Sequence, residues 1–218
     1  MIVKSLSPKV DVWDIRGSNV ASVCNALELS GAKPRLREPS LLKTAAALIV
    51  LPGMSSPQVM RASLPKDLRS YLSSSGAGPQ TMLAICMGMQ ILFDGSDEEH
   101  ASNEGGIGYF PGRVKYLGRR TSPDLRTQLR TPHTGWRTLT LHDQTSKTVS
   151  VSDSDEFYFA HSYGVPYTEQ PFVASSVTYY DSRVSAYVHR GSVHGVQFHP
   201  EMSGQSGIRF LRKLLDLT

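Results

Sequence analysis

Cys86, His199 and Glu201 are the side chains of this sequence whose types and local settings combine into covalent chemistry. Cys86 lies in Ala84-Ile85-Cys86-Met87-Gly88, where an apolar run meets helix-forming residues across a tight turn. That is the pattern of a nucleophile elbow, which holds a reactive side chain on a sharp strand-to-helix bend between residues small enough for the backbones to approach. The start of the following helix carries partial positive charge that favours a thiolate, and its free N–H groups can receive an oxyanion. A lone cysteine at a strand end is equally a common small core residue, so the chemical reading requires a base. His199 and Glu201 supply one in His194-Gly195-Val196-Gln197-Phe198-His199-Pro200-Glu201. An extended chain puts residues two apart on one side, which predicts His199 and Glu201 together and Val196 and Phe198 facing the core. The imidazole can then take the thiol proton while the carboxylate orients the ring and stabilises its cation, a triad in the order Cys, His, Glu.

These residues need a scaffold, and the first half of the chain has the rhythm of a parallel α/β sheet. Strands are predicted over Val10–Ile15, Pro34–Arg37, Ala46–Leu51 and Thr81–Ile85. Between them, Ser18 or Asn19 can cap a helix with Val20, Val23, Cys24 and Leu27 on one stripe, and a single helix is expected through Val59–Leu72. Met87–Phe93 reads as helical. Beyond Asp94 the pattern turns β-rich, with short strands over Val114–Leu117, Thr138–Leu141, Glu156–Ala160, Val173–Thr178, Val184–Val188 and Val193–Phe198. Arg190-Gly191-Ser192 reads as a hairpin turn, and Ile208, Phe210, Leu211, Leu214 and Leu215 predict a closing amphipathic helix. There is no repeat or linker, so residues 1–218 are read as one domain.

Composition narrows the class. With 39% hydrophobic and 19% charged residues the chain suits a globular core, and a net charge of +4 falls short of a nucleic-acid-binding stripe. The longest apolar run, Ala45–Leu51, is about a third of a membrane span. Two cysteines and an N-terminus without an apolar signal core predict a cytoplasmic protein. The histidines show no metal-ligand spacing and no glycine motif cradles a phosphate, so neither metal nor other cofactor is expected. Arg113, Lys115, Arg119, Arg120, Arg126 and Arg130 form a basic stretch, and Asp94, Asp97, Glu98 and Glu99 an acidic one; both are read as solvated faces without a ligand.

Together the segments Leu51-Pro52-Gly53, Ile85-Cys86-Met87-Gly88-Met89-Gln90, Pro132-His133-Thr134-Gly135-Trp136, Tyr158-Phe159-Ala160-His161-Ser162-Tyr163 and Gly195–Glu201 resemble the class I, triad-type glutamine amidotransferases. Among these they are most similar to the glutaminase subunits of imidazole glycerol phosphate synthases. The resemblance covers nearly the whole chain and implies a central, mostly parallel sheet flanked by helices, with a β-rich second half. It implies that Cys86 attacks the side-chain amide of L-glutamine, forms a glutamyl thioester and releases ammonia before water frees glutamate. Gly53 and the Met87 N–H would form the oxyanion hole, Gln90 would hold glutamine, and His161, Ser162 and Tyr163 would bind its amino-acid end. A separate synthase subunit, a (β/α)8 barrel, would accept the ammonia.

Three segments depart from the family pattern. Pro52-Gly53 is followed by Met54-Ser55 where Pro-Gly-x-Gly is usual, Arg16 and Ser18 occupy usual glycine positions before Asn19, and Arg137 follows Gly135-Trp136 where asparagine is common. A serine at position 55 is expected to resist positive φ. Family members place these segments at or near the synthase-facing side, so the resemblance implies that Asn19, Met54, Ser55, Trp136 and Arg137 face the synthase. Two alternatives follow: a divergent paralogue serving another synthase, such as a sugar amidotransferase, or a catalytically silent regulatory subunit.

Overall fold

The computed structural model describes residues 7–39, 44–74, 80–98, 105–118, 132–142, 151–152, 154–180, 182–216 and 218. The chain runs β1 (Lys9–Trp13), α1 (Val20–Leu29), β2 (Lys33–Arg37), β3 (Leu48–Leu51), α2 (Pro57–Ser63), α3 (Leu68–Ser73) and β4 (Thr81–Ile85). It continues through α4 (Met87–Gln90), β5 (Phe93–Ser96), β6 (Phe110–Tyr116), β7 (His133–Thr138), β8 (Thr140–Leu141), β9 (Glu156–His161) and β10 (Tyr163–Gly164). It ends with β11 (Val173–Tyr179), β12 (Ser182–Arg190), β13 (Val193–Val196), a 3-10 turn at Pro200–Met202 and α5 (Gly204–Leu215).

The main sheet has the order β2-β1-β3-β4-β13-β12-β11-β8. Pairing is parallel from β2 to β13 and antiparallel beyond it. All four residues of β3, Leu48-Ile49-Val50-Leu51, are fully buried, as expected of a parallel strand covered on both faces. Leu48 and Val50 pack toward α1 and α5, where Val23, Leu27, Phe210 and Leu214 lie. Ile49 and Leu51 pack on the other face with Met60 of α2 and Leu68 and Leu72 of α3. Each such side chain, fully buried, stabilises the fold by about 1.5–3 kcal/mol. Outside this sheet, β10, β6 and β5 form a three-stranded sheet, and β7 pairs with β9 as an antiparallel ribbon.

Several expected boundaries shift. The single helix over Val59–Leu72 is two helices, because Leu64, which precedes Pro65, takes an extended ψ of 145° and the residue before a proline is biased away from the helical region. Met87–Phe93 is helical only to Gln90, and Phe93 instead opens β5, paired with Phe110. Asn19 occupies the N-cap of α1, yet neither it nor Ser18 caps through its side chain. The last strand ends at Val196 rather than Phe198. The hairpin through Gly191-Ser192 forms as expected, with Arg190 opposite Val193.

The acidic and basic stretches meet across the small sheet: Asp97 pairs with Arg113 at 2.8 Å and Lys115 at 3.1 Å. Arg119, Arg120, Arg126 and Arg130 lie outside the described residues, as does Glu99. No helix among the described residues is long and apolar enough to cross a membrane.

Three neighbouring parallel strands, β3, β4 and β13, end side by side, with Leu51 opposite Ala84 and Ile85 opposite Val196. Their carboxyl ends deliver Gly53, Cys86 and the segment Gln197–Glu201 to one place, where open α/β sheets commonly hold their ligands.

Candidate active site

Cys86 has φ 50° and ψ −107°, a strained backbone of the kind tolerated where function over-determines it. Its N–H bonds the Val196 carbonyl at 2.7 Å, and its own carbonyl accepts from Gln90 N at 3.0 Å. One bond ties the bend to β13 and the other starts α4. Gly88 makes the bend possible, since a Cβ there would lie 2.6 Å from the Leu51 carbonyl oxygen. Cys86 itself is buried, with 7% exposure.

His199 is fully buried, and its Nδ1 bonds Glu201 Oε1 at 2.8 Å. The expected pair therefore forms, but not by strand alternation. His199 has left the strand, and Glu201 sits in the following 3-10 turn, whose curvature swings its carboxylate back to the ring. Val196 and Phe198 do enter the core face. The turn is braced by Ser203, whose hydroxyl donates to the His199 carbonyl at 2.6 Å and accepts from Tyr158 N at 3.0 Å.

Nε2 of His199 is buried and has no oxygen or nitrogen partner. A methyl-sized group on Gly53 would lie 2.9 Å from Cys86 Cβ and 3.5 Å from His199 Cε1, so the thiol and the imidazole share one neighbourhood. Burial lowers the proton affinity of His199, but the negative charge of Cys86 and the Glu201 carboxylate outweigh it and push the imidazole up to about 10.

The cleft above the sulfur encloses about 230 Å³ and is lined by Met54, Ser55, Met87, Gln90, Glu98, Ala160, His161, Ser162 and Tyr163 besides Cys86. The predicted nucleophile, Met87, Gln90 and the His161–Tyr163 segment are thus brought together. Glu98, read from sequence as a solvated acid, stands on the cleft wall instead. It was concealed because its acidic neighbours serve other ends, Asp97 pairing with Arg113 and Asp94 accepting from Gly112 N. Among the described residues no cluster of three His, Cys, Asp or Glu is placed to hold a metal ion.

A model of the family described as glutamine amidotransferase class-I matches residues 11–216. The chain belongs to the class-I glutamine amidotransferase family. Among curated relatives, the imidazole glycerol phosphate synthase subunit HisH of Shouchella clausii is 34% identical, covering 94% of this chain and 96% of its own. The protein of the same name from Thermosynechococcus vestitus is 33% identical, covering 97% and 98%. Among solved structures, one titled as a glutamine amidotransferase superposes with a TM-score of 0.66 at 16% identity, covering 95% of this chain and 97% of its own. PurLQS from Thermotoga maritima superposes at 0.64 with 19% identity, covering 97% and 99%. At those identities the likeness shows the fold.

In this amidotransferase the departures from the family pattern have a structural form. The positive φ of the loop after β3 falls on Met54, at 67°, and not on Ser55. The expected strain at the serine is therefore absent, and Met54 carries it, at a cost of about 1–2 kcal/mol for a side-chain-bearing residue. Ser55 instead donates its hydroxyl to the Arg16 carbonyl at 2.9 Å, so two of the departing segments touch. Trp136 is 45% exposed, edge-on to Tyr158, with Gly204 beside its indole. Arg137 turns back to the Trp136 carbonyl and lies 5.8 Å over the Tyr179 ring.

Two buried groups in the amidotransferase site were not assigned from sequence. Gln197, fully buried between Val196 and Phe198, reaches the Cys86 sulfur at 3.6 Å. His133 contacts His161 at 3.0 Å. Gln197 had one legible signal, a polar residue between two core-facing apolar ones, which points it to the opposite face. His133 had none.

Proposed function

We propose that this chain is the glutamine-hydrolysing subunit of a two-component synthase. The reading rests on one observation: the buried His199–Glu201 pair leaves Nε2 available beside the elbow-held Cys86 at the floor of a cleft sized for an amino acid. Cys86 attacks the glutamine side-chain carbonyl carbon, and the oxyanion is received by the Met87 N–H at the start of α4 together with the Gly53 segment. His199 gives its proton to the leaving nitrogen, ammonia departs, and a glutamyl thioester remains. His199 then takes a proton from water, which attacks the thioester and returns the electron pair to sulfur. Gln90, His161, Ser162 and Tyr163 hold the substrate, and Glu98 faces its α-ammonium with the opposite charge.

The ammonia acceptor is a separate synthase subunit. The relatives named as imidazole glycerol phosphate synthase subunits support the synthase of histidine biosynthesis, with a (β/α)8 barrel as partner. Trp136, Met202 and Met54, at 45%, 38% and 52% exposure, are the apolar side chains offered to that partner, with Asn19, Ser55 and Arg137 as further partner-facing residues. Aromatic anchors of this kind carry much of an interface's binding energy.

The test is glutamate release by the wild type and by Cys86→Ser, alone and with the barrel subunit. The wild type should turn over glutamine, and the serine variant should lose about a thousandfold or more while still binding the barrel. A wild type that binds the barrel and releases no glutamate would overturn the reading.

A further inference from the structure

We infer that Gln197 is a catalytic residue: its side-chain amide donates a hydrogen bond to the Cys86 sulfur and holds it as the attacking and leaving thiolate. The inference rests on the reading of Cys86 as nucleophile and adds a third contact to it.

The direction of this contact follows from an acceptor that cannot donate. The Tyr163 carbonyl receives Gln90 Nε2 at 2.8 Å, so that end of the Gln90 side chain is its NH2 group. The second hydrogen of the same nitrogen meets Gln197 at 3.0 Å, which makes the facing Gln197 atom its oxygen. The remaining end of Gln197, its NH2, is then the one that reaches Sγ at 3.6 Å, a normal separation for an N–H bonded to sulfur. Amide orientations are set by such networks, and here a backbone carbonyl sets this one.

The same carbonyl orders the other side. His161 Nδ1 lies 2.7 Å from it and must carry the hydrogen. Burial holds the neutral form of His161, lowering it to about 4, so its Nε2 is an acceptor. It receives Nδ1–H of His133, a ring clamped between Phe159 and Tyr179. Two donors, His161 Nδ1–H and Gln90 Nε2–H, thus converge on the Tyr163 carbonyl, and from Gln90 the bonds run on through Gln197 to a last donor aimed at the nucleophile.

The chemistry gives that donor two moments of use. Before attack it stabilises the thiolate, whose electron pair forms the C–S bond. In deacylation the C–S bond breaks, the pair returns to sulfur, and the donor meets it again. A hydrogen bond to a charged group is worth about 1.5–3 kcal/mol, so losing it should raise the midpoint of thiol ionisation by about one to two pH units.

The experiment is the rate of Cys86 alkylation by iodoacetamide against pH, with Cys86 resolved from Cys24 by peptide mass spectrometry. It is run on the full chain for wild type, Gln197→Met and Gln197→Asn. Methionine keeps the volume without an N–H, and asparagine keeps a buried amide one methylene short. The ionisable groups around the sulfur are His199 with Glu201 behind it, and His161, Tyr163 and Glu98 on the cleft wall. All are unchanged in both variants. Thermal unfolding identifies the folded variants, and either one suffices. A midpoint raised by about one to two units in a folded variant, with slower glutamine turnover, is the expected result. A midpoint unchanged while wild-type Cys86 outreacts Cys24 would overturn the role of Gln197 alone. A wild-type Cys86 no faster than Cys24 would overturn both it and the nucleophile reading.

Discussion

Gly53 stands against Cys86 so closely that a Cβ on it would lie 2.9 Å from Cys86 Cβ and equally close to the Ile85 carbonyl oxygen. Ordinary contacts at such a position are 3.4–4 Å. The end of β3 and the end of β4 thus meet with no room for a side chain, and this closeness places the Gly53 peptide beside the reacting sulfur.

Gly53→Ala should therefore damage catalysis more than folding. The methyl group must displace either the nucleophile or the strand end, and a misplacement of about 1 Å costs roughly a hundredfold in rate. Steady-state glutamate release beside a thermal unfolding curve checks this. Wild-type turnover in the alanine variant would contradict the geometry.

Glu201→Gln leaves the fold and the 3-10 turn intact but removes the negative charge that orients and stabilises the His199 cation. The expected loss in kcat is about a hundredfold or more with little change in KM. With Glu201 neutralised, the influence raising His199 weakens, so the alkaline limb of turnover, where the imidazolium is lost, should move to lower pH. A pH–rate profile of the variant measures both effects.

Glu98→Gln tests the cleft wall. Losing one charge-assisted contact to the α-ammonium should raise KM for glutamine by about tenfold while kcat changes little. An equal fall in kcat with KM constant would place Glu98 elsewhere in the reaction.

Stability should fall in mild acid. Burial lowers His133 to about 3, and His161 and His194 to about 4, whereas in the unfolded chain each titrates near 6.5. Below pH 6.5 the unfolded state binds more protons, so stability present above that pH is lost as pH falls toward 4. The slope is at most about 1.4 kcal/mol per pH unit for each histidine. His199 shifts the other way. It is protonated in both states below pH 6.5, so its contribution is constant there and is lost only as pH rises toward 10. Urea unfolding at pH 6.5 and pH 5 reads the difference, and equal stabilities at the two would refute it.

Much of this protein is legible in its sequence because the information is local. The all-apolar β3, the sharp Ile85-Cys86-Met87 bend and the short His199-Pro200-Glu201 spacing declare a buried parallel strand, an elbow and a base with its carboxylate. Each depends on contacts within a few residues. Even there the physical route can differ from the expected one, since the His199–Glu201 bond is made by a turn and not by a strand.

What the tertiary structure alone decided is which distant polar groups meet the reacting atoms. Glu98 is one acid in an acidic run until β5 and β6 consume its neighbours and leave it on the cleft wall. Gln197 is an ordinary glutamine until α4 brings Gln90 to one end of it and Cys86 to the other. The direction of its amide is fixed by a carbonyl on β10, and His133 joins only because β7 pairs with β9. Hydrogen-bond direction depends on the full set of partners in space, and no spacing along the chain encodes it.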